Sequence, residues 1–278
     1  WSVTVVVPMF ASGDDPGSSF TGLLRKVGLD PFGGVDVDGV VASALPAPHG
    51  TTVLAVRYRD GVVMAGDRRA TMGNRIANRE MEKVMPADRH SGVAIAGTAG
   101  LAMDMIRLFQ LQLEHFEKLD GRPISLEGKA NQLSQFVKSN MPAALQGLAV
   151  VPIFAGYDLL RATGRLWDFD VTGGRYEERD FVATGSGSGP ASTVLKVGFR
   201  HDMGVDDVVN LACRALFEAA EVDSATGGPD VLRGIYPVVA TITSDGWQRL
   251  SDDDLAMRFS AIVDEQRQIH AARGGAAS

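Results

Sequence analysis

The sequence predicts an α+β fold, with antiparallel sheets and helices packed on their outer faces. Two observations carry that prediction. Helical periodicities come in consecutive pairs, with a single one at the end of the chain. Strand-like runs come in blocks joined largely by glycine-containing turns, instead of alternating one for one with helices as a doubly wound parallel sheet requires. The 278 residues allow one large domain or two small ones, and 45% hydrophobic residues suffice for a substantial core.

The first fifty residues differ from the rest. Gly, Ser, Pro and Asp are dense from Ser12 to Ser19 and from Asp30 to Gly39, and Pro46 and Pro48 hold their neighbours extended. Only Phe20–Val27 offers a short amphipathic turn or two. This composition reads as a leader without its own core. From Thr51 the texture changes. Thr52–Tyr58 reads as a strand, Asp60-Gly61 is a hairpin signal, and Val62–Ala65 is the return strand. Gly92–Ala96 is a further short strand.

Ala99–Lys118 carries apolar residues at 102, 105, 106, 109, 113 and 116, a helical period closed by Gly121-Arg122-Pro123. A second helix runs to about Asn140; Ser125 is only a rough start for it, because Gly128 stands where a capping box has Glu or Gln. Leu148–Ala155, Gly164–Asp170, Arg175–Glu178 and Phe181–Thr184 read as strands. Helices follow at about 189–199 and 205–221, then a strand at Ile235–Thr243 and a helix at Asp252–Ala271, with Arg273–Ser278 as a frayed tail.

Composition narrows the function classes. A net charge of −7 argues against a nucleic-acid or anionic-membrane surface, so Arg57, Arg59, Arg68 and Arg69 read as solvated strand ends or subunit contacts. No apolar run approaches the ~20 residues a membrane helix needs. The single cysteine, Cys213, lies on an apolar helical face, reads as core and fits a reducing compartment; the expected location is cytoplasmic. The five histidines show no metal-ligand spacing.

Four elements are candidates for chemistry. Thr51 heads a strand after the flexible Gly50, although most Thr-Thr pairs are ordinary strand residues. Cleavage of Gly50–Thr51 would expose an α-amine, a group that ordinarily titrates at roughly 7.7–8, beside a hydroxyl, giving nucleophile and base in one residue. Asp67 ends a strand and reads equally well as a turn cap. Lys83 alone would pass for a solvated lysine. Gly97 sits at a strand-to-helix junction, where a backbone N–H can hold an anion. The Gly185–Gly189 cluster fits neither a dinucleotide fingerprint, because of Pro190, nor a nucleophile elbow, because Gly187 is central.

Gly50-Thr51-Thr52, Gly66-Asp67-Arg68-Arg69, Lys83, Gly97-Thr98-Ala99-Gly100, Gly185-Ser186-Gly187-Ser188 and Asp223-Ser224-Ala225-Thr226-Gly227-Gly228 occur in the order and spacing of proteasome β subunits. His49-Gly50-Thr51-Thr52, Leu145-Gln146-Gly147-Leu148 and Gly228-Pro229-Asp230 resemble the actinobacterial type in particular. The resemblance covers about residues 46–265. It implies the four-layer αββα sandwich of N-terminal-nucleophile hydrolases, and a threonine endopeptidase that needs no metal or organic cofactor. It divides the chain into a propeptide, residues 1–50, removed by self-cleavage, and a catalytic domain, residues 51–278.

By the same resemblance, Thr51 is nucleophile and base, Lys83 tunes its hydroxyl, Asp67 holds Lys83, and the Gly97 N–H binds the oxyanion. Ser186, Asp223 and Thr226 surround the α-amine; position 226 is Ser in many relatives, and Thr keeps the hydroxyl. Ala70, Met81, Met85, Ile95, Ala99 and Met103 surround the pocket for the residue before the cut, with Thr71 beside it; Met85 and Ile95 are also readable as core. The implied partners are identical β subunits in seven-membered rings, proteasome α subunits, a ring ATPase or other activator, and protein substrates. A simpler bacterial heat-shock peptidase shares the N-terminal Thr and the Gly-Asp, but the long leader and the Asp223–Asp230 string speak against it. An inactive ring subunit would have lost Thr51, Asp67 or Lys83, and a glutamine-amidotransferase-like member would more often expose a Cys.

Overall fold

A computed structural model describes residues 50–275, Asn74 apart. The leader expected over residues 1–50, with its amphipathic turn at Phe20–Val27, lies outside the described residues except for Gly50. Twelve strands and six helices are formed by the described residues. The first sheet has the order β10-β1-β2-β11-β12, from Phe181–Gly185, Thr52–Tyr58, Gly61–Gly66, Val238–Thr243 and Gly246–Arg249. The second has the order β5-β6-β7-β8-β9, from Val84–Asp88, Ser91–Gly97, Val150–Asp158, Thr163–Phe169 and Arg175–Glu178. Every pairing in both is antiparallel. A separate hairpin joins β3, Ala70–Met72, to β4, Arg75–Asn78.

Side-chain alternation along the strands builds the layers. In β1, Leu54, Val56 and Tyr58 face helices, whereas Val53 and Ala55 face the other sheet. In β6, Val93 and Ile95 face helices, and Ala94 and Ala96 face the first sheet. Strands covered on both faces lose the polar-apolar alternation, which is why they read as continuous apolar runs. Helices α4 (Ser188–Gly198), α5 (Val205–Val222) and α6 (Asp252–Gly275) cover the first sheet, and α1 (Ala99–Asp120) and α2 (Leu126–Ser139) cover the second. A one-turn helix, α3, spans Met141–Ala144. The result is four layers, helix, sheet, sheet and helix, with one apolar cluster in each of the three spaces between them.

Most expected elements are present, and the differences have local causes. Ser125 does cap α2, its side chain accepting the Gly128 N–H at 3.1 Å without the reciprocal bond of a capping box. Strand β5 was not expected. It contains Pro86, which an edge strand tolerates, and β5 is an edge. The last helix continues to Gly275, so the fraying expected from Arg273 does not begin there. Cys213 is fully buried between α5 and its neighbours, and burial pushes its thiol pKa up to about 12, so it is inert core. No helix of the described residues is long and apolar enough to cross a membrane.

Phe154 centres the helix-facing side of the second sheet. It packs edge-on to Phe109 of α1 at 6.0 Å and lies 5.6 Å from Trp167. Phe154→Ala is expected to cost about 3–5 kcal/mol through the cavity it leaves. Urea unfolding of the chain measures this, and a loss under about 1 kcal/mol would contradict the packing argument.

Candidate active site

The candidate residues sit where strands begin or end, and the pairing registers bring those ends together. Thr52 opens β1 opposite Gly185, and Gly66 closes β2 opposite Val53. The Ser186 N–H donates to the Thr51 carbonyl at 2.8 Å, and the Asp67 N–H to the Thr52 carbonyl at 3.1 Å. Thr51 therefore lies between the segment leaving β2 and the segment leaving β10. Lys83, just before β5, anchors β6 by accepting the Ile95 N–H at 2.9 Å on its carbonyl.

Asp67 and Lys83 form an ion pair at 2.7 Å, and their side chains are 0% and 1% exposed. A solvated lysine is thus ruled out at position 83. Asp67 Oδ1 accepts from Lys83 Nζ and the Thr52 N–H, and Oδ2 accepts from the N–H groups of Arg69 and Gly227, each at 2.9 Å. The turn-cap reading of Asp67 also holds, through Arg69, but it is one of four bonds. Lys83 donates a second bond to the Arg69 carbonyl at 2.5 Å. Burial pushes the Lys83 pKa down, and the Asp67 charge and hydrogen bond oppose that fall.

A second network meets Thr51 from the other side. The Thr51 N–H donates to Ser186 Oγ at 3.2 Å. Ser186 Oγ donates to Asp223 Oδ2 at 2.5 Å, and Thr226 Oγ1 donates to the same oxygen at 2.6 Å. Asp223 closes the C-terminus of α5. Burial raises its pKa, but the bonds from Ser186, Thr226 and the backbone N–H of Ala225 outweigh this and hold the carboxyl below its usual range. Ser186, Asp223 and Thr226 are thus brought together as expected.

Gly50 and Gly97 are glycines for steric reasons. A Cβ on Gly50 would lie 1.8 Å from the Ala225 Cβ. Gly97 has φ +110°, and a Cβ there would lie 2.2 Å from the Ala149 carbonyl oxygen. Ile95 points its N–H toward β5, and strand alternation sends the Gly97 N–H to the same side, beyond the end of β5.

The expected pocket residues come from several elements. Ala70 and Thr71 are buried on β3, and Thr71 Oγ1 accepts the Gly50 N–H at 3.2 Å. Half-buried Met85 and Met103 pack on the cluster that contains Ile95, which is 2% exposed and belongs to the core under α1. Met81 is half-buried after β4, and Ala99 is half-buried at the start of α1. A cavity of about 340 Å³ lined by Arg68, Arg69, Arg79, Gly227, Asp230 and Tyr236, among others, includes none of these residues and not Thr51.

Two contributors were missed at the level of sequence. Thr52 is 0% exposed, its hydroxyl 2.5 Å from Thr226 Oγ1 and accepting the Gly187 N–H at 3.0 Å. Arg69 is not a solvated strand end: its guanidinium donates to the carbonyls of Ser224 and Thr226 at 3.0 and 3.2 Å, fastening the loop after α5. Neither side chain carries a local signal, since its partners lie more than 130 residues away.

Two facing antiparallel sheets between helix layers, with a Gly-Thr step entering an inner strand beside a buried Lys–Asp pair, define the N-terminal-nucleophile hydrolase class. Within it, the chain belongs to the proteasome subunit family: the family profile, described as Proteasome subunit, matches residues 47–232. It is similar to the Proteasome subunit beta of Acidimicrobium ferrooxidans, 50% identical over 94% of this chain and 96% of the relative. Identity to the Proteasome subunit beta of Streptomyces griseus is 57% over 80% of this chain and 79% of the relative. For that of Acidothermus cellulolyticus it is 59% over 78% and 76%. The chain is thus of the actinobacterial β type, and its activity is that of a threonine endopeptidase.

The buried pair makes a prediction about pH. In Asp67→Asn the charge opposing desolvation is gone, so the Lys83 pKa falls further below its unfolded value. Between those two values the unfolded chain binds more protons, so stability rises with pH. Asp67→Asn should therefore cost about 3–5 kcal/mol near neutral pH, and the deficit should shrink toward about pH 10. Denaturant unfolding across that range checks the sign; a deficit independent of pH would contradict it.

Proposed function

We propose that Thr51 becomes the N-terminal residue of the mature chain and acts as both nucleophile and base. The observation that carries this reading is the Thr51 nitrogen, 3.2 Å from Ser186 Oγ and at the mouth of the Ser186–Asp223–Thr226 network. That nitrogen is the atom cleavage of Gly50–Thr51 would free. As an amine it takes the proton of the Thr51 hydroxyl while Oγ1 attacks the substrate carbonyl. Charged Lys83, held by Asp67, lowers the energy of the forming alkoxide, and the Gly97 N–H receives the carbonyl oxygen as it becomes an oxyanion. Collapse of the tetrahedral adduct breaks the peptide bond. The ammonium protonates the departing amine and leaves an ester on Thr51. Water, deprotonated by the same amine, then hydrolyses the ester and restores the hydroxyl. Ser186, Asp223 and Thr226 orient the amine.

Self-cleavage uses the same oxygen but not the same base, because the Thr51 nitrogen is then an amide. Oγ1 attacks the Gly50 carbonyl, the C–N bond breaks, and the hydroxyl proton ends on the freed nitrogen. Water hydrolyses the resulting ester to release residues 1–50, so the chain is a zymogen that processes itself. In the uncleaved chain, Ala225 and Ser186 leave no room for a side chain at position 50 itself, which fits Gly50. Ala70, Met81, Met85, Ala99 and Met103, with Thr71 beside them and Ile95 packed behind them in the core, form one side of the substrate cleft, and neighbouring copies complete it. The particle is a seven-membered β ring stacked on α subunits in the cytoplasm. It is served by a ring ATPase or another activator and encloses unfolded or tagged protein substrates.

Thr51→Ala is expected to abolish both processing and peptidase activity; intact mass with N-terminal sequencing and a fluorogenic assay check it. An assembled Thr51→Ala particle with near-normal turnover would overturn the assignment. The six pocket residues are apolar and offer no partner for a charge. Burial of an apolar side chain there gains roughly 1.5–3 kcal/mol, whereas an unpaired charge is costly. Peptides with Leu, Tyr or Phe before the cut should be cleaved faster than those with Arg or Asp, and the reverse order would show the pocket to be elsewhere.

A further inference from the structure

The hydroxyl of Thr52 belongs to the same network as Ser186, Asp223 and Thr226, and proton bookkeeping fixes its direction. An ionised Asp223 only accepts, so Ser186 and Thr226 each give their single hydroxyl proton to Oδ2, at 2.5 and 2.6 Å. Ser186 also lies 3.3 Å from the Thr51 carbonyl, but the shorter, charge-assisted bond takes the proton. With its proton committed, Thr226 Oγ1 meets Thr52 Oγ1 at 2.5 Å only as acceptor. Thr52 is therefore the donor, and its own oxygen accepts the Gly187 N–H at 3.0 Å, just ahead of α4. The chain of bonds runs one way: Gly187 to Thr52 to Thr226 to Asp223, with Ser186 entering Asp223 from the other side. Ser186 is left with a lone pair, and that lone pair receives the Thr51 N–H.

We propose that Thr52 is a positioning residue for catalysis, its hydroxyl holding Thr226 as acceptor so that Asp223 stays fixed to Ser186 and Ser186 presents only a lone pair to the Thr51 nitrogen. A donor at Ser186 would compete for the amine lone pair that must take the Thr51 hydroxyl proton; an acceptor leaves it free. Each bond in the chain polarises the next, so loss of the Thr52 donor loosens Thr226 and Asp223 together. Thr52 is wholly buried and cannot touch substrate, so it acts on turnover and not on binding. The inference rests on the reading of Thr51 as nucleophile.

The test uses the full-length chain carrying Thr52→Val, Thr52→Ser, Thr226→Val, the Thr52→Val/Thr226→Val pair, and Thr51→Ala. Processing is followed by intact mass and turnover with one apolar fluorogenic peptide. Thr52→Val should lower kcat about tenfold or more with KM within about twofold. Thr52→Ser, which keeps the donor, should stay within about threefold of wild type, and the double variant should lose no more than Thr226→Val alone. Thr52→Ala, which puts no methyl against Thr226, replaces the valine variant where that does not fold. Wild-type kcat without the Thr52 hydroxyl, a change confined to KM, failure of Ser to rescue, or losses that multiply in the double variant would each overturn the proposal. Activity in Thr51→Ala would instead overturn the reading beneath it.

Discussion

The site depends on one buried ion pair. Lys83 and Asp67 place two full charges where almost no water reaches, and isolated charges in such surroundings are costly. Four donors meet the two oxygens of Asp67, and they come from the start of β1, the segment after β2, Lys83 itself and the loop after α5. The pair is stable only while all of these segments are in place. It therefore works as a clamp on the local backbone as well as an electrostatic device. Arg69 extends the clamp by holding the Ser224 and Thr226 carbonyls with its guanidinium and Lys83 with its own carbonyl.

The two sheets make that clamp geometrically possible. Val, Ile, Leu and Met side chains fill most of the space between them, with Ala55 from one sheet and Ala94, Ala96 and Ala155 from the other among them. The start of β1, the end of β2 and the start of β5 come together at the Asp67–Lys83 pair. Helices on the outer faces supply most of the large apolar burial: Phe109, Leu133 and Phe136 on one side, and Leu195, Leu216 and Phe259 on the other. Mechanical support and chemistry are thus divided between layers. Asp223, which ends α5, is the point where the outer helix layer reaches the site. A carboxylate at a helix C-terminus is disfavoured by the helix dipole, and its hydrogen bonds from Ser186, Thr226 and the Ala225 N–H offset this.

Much of the fold was legible in the sequence. The apolar run from Thr52 to Tyr58 and the Asp60-Gly61 turn gave the first hairpin its boundaries, and 3.6-residue periodicity gave the paired helices. The missed elements lacked such patterns: β3 and β4 form a short hairpin with an exposed second strand, β5 contains Pro86, and β12 is four residues with a polar end. At the site, residues alone gave Thr51 and Gly97 a chemical rationale, but Lys83 among Glu80, Glu82 and Arg79 looked solvated. Only the separated family motifs, taken together, pointed to it. Thr52 and Arg69 stayed invisible because their partners are set by tertiary pairing, a level that periodicity and local spacing do not reach.

Those long separations also bear on when the site can exist. Thr52 and Thr226 are 174 residues apart, Thr51 and Ser186 are 135 apart, and Asp67 and Gly227 are 160 apart. Contacts this distant in sequence close late, because loop entropy is spent before they are rewarded. A chain still emerging, with the segment beyond position 222 not yet made, has Thr51 but neither Asp223 nor the Gly227 N–H beside it. The chemistry proposed for Thr51 would consequently be coupled to completion of the fold. In that reading the architecture acts as a timer, in which synthesis and docking of the segment beyond position 222 gate the reactivity proposed for a residue near the beginning of the chain.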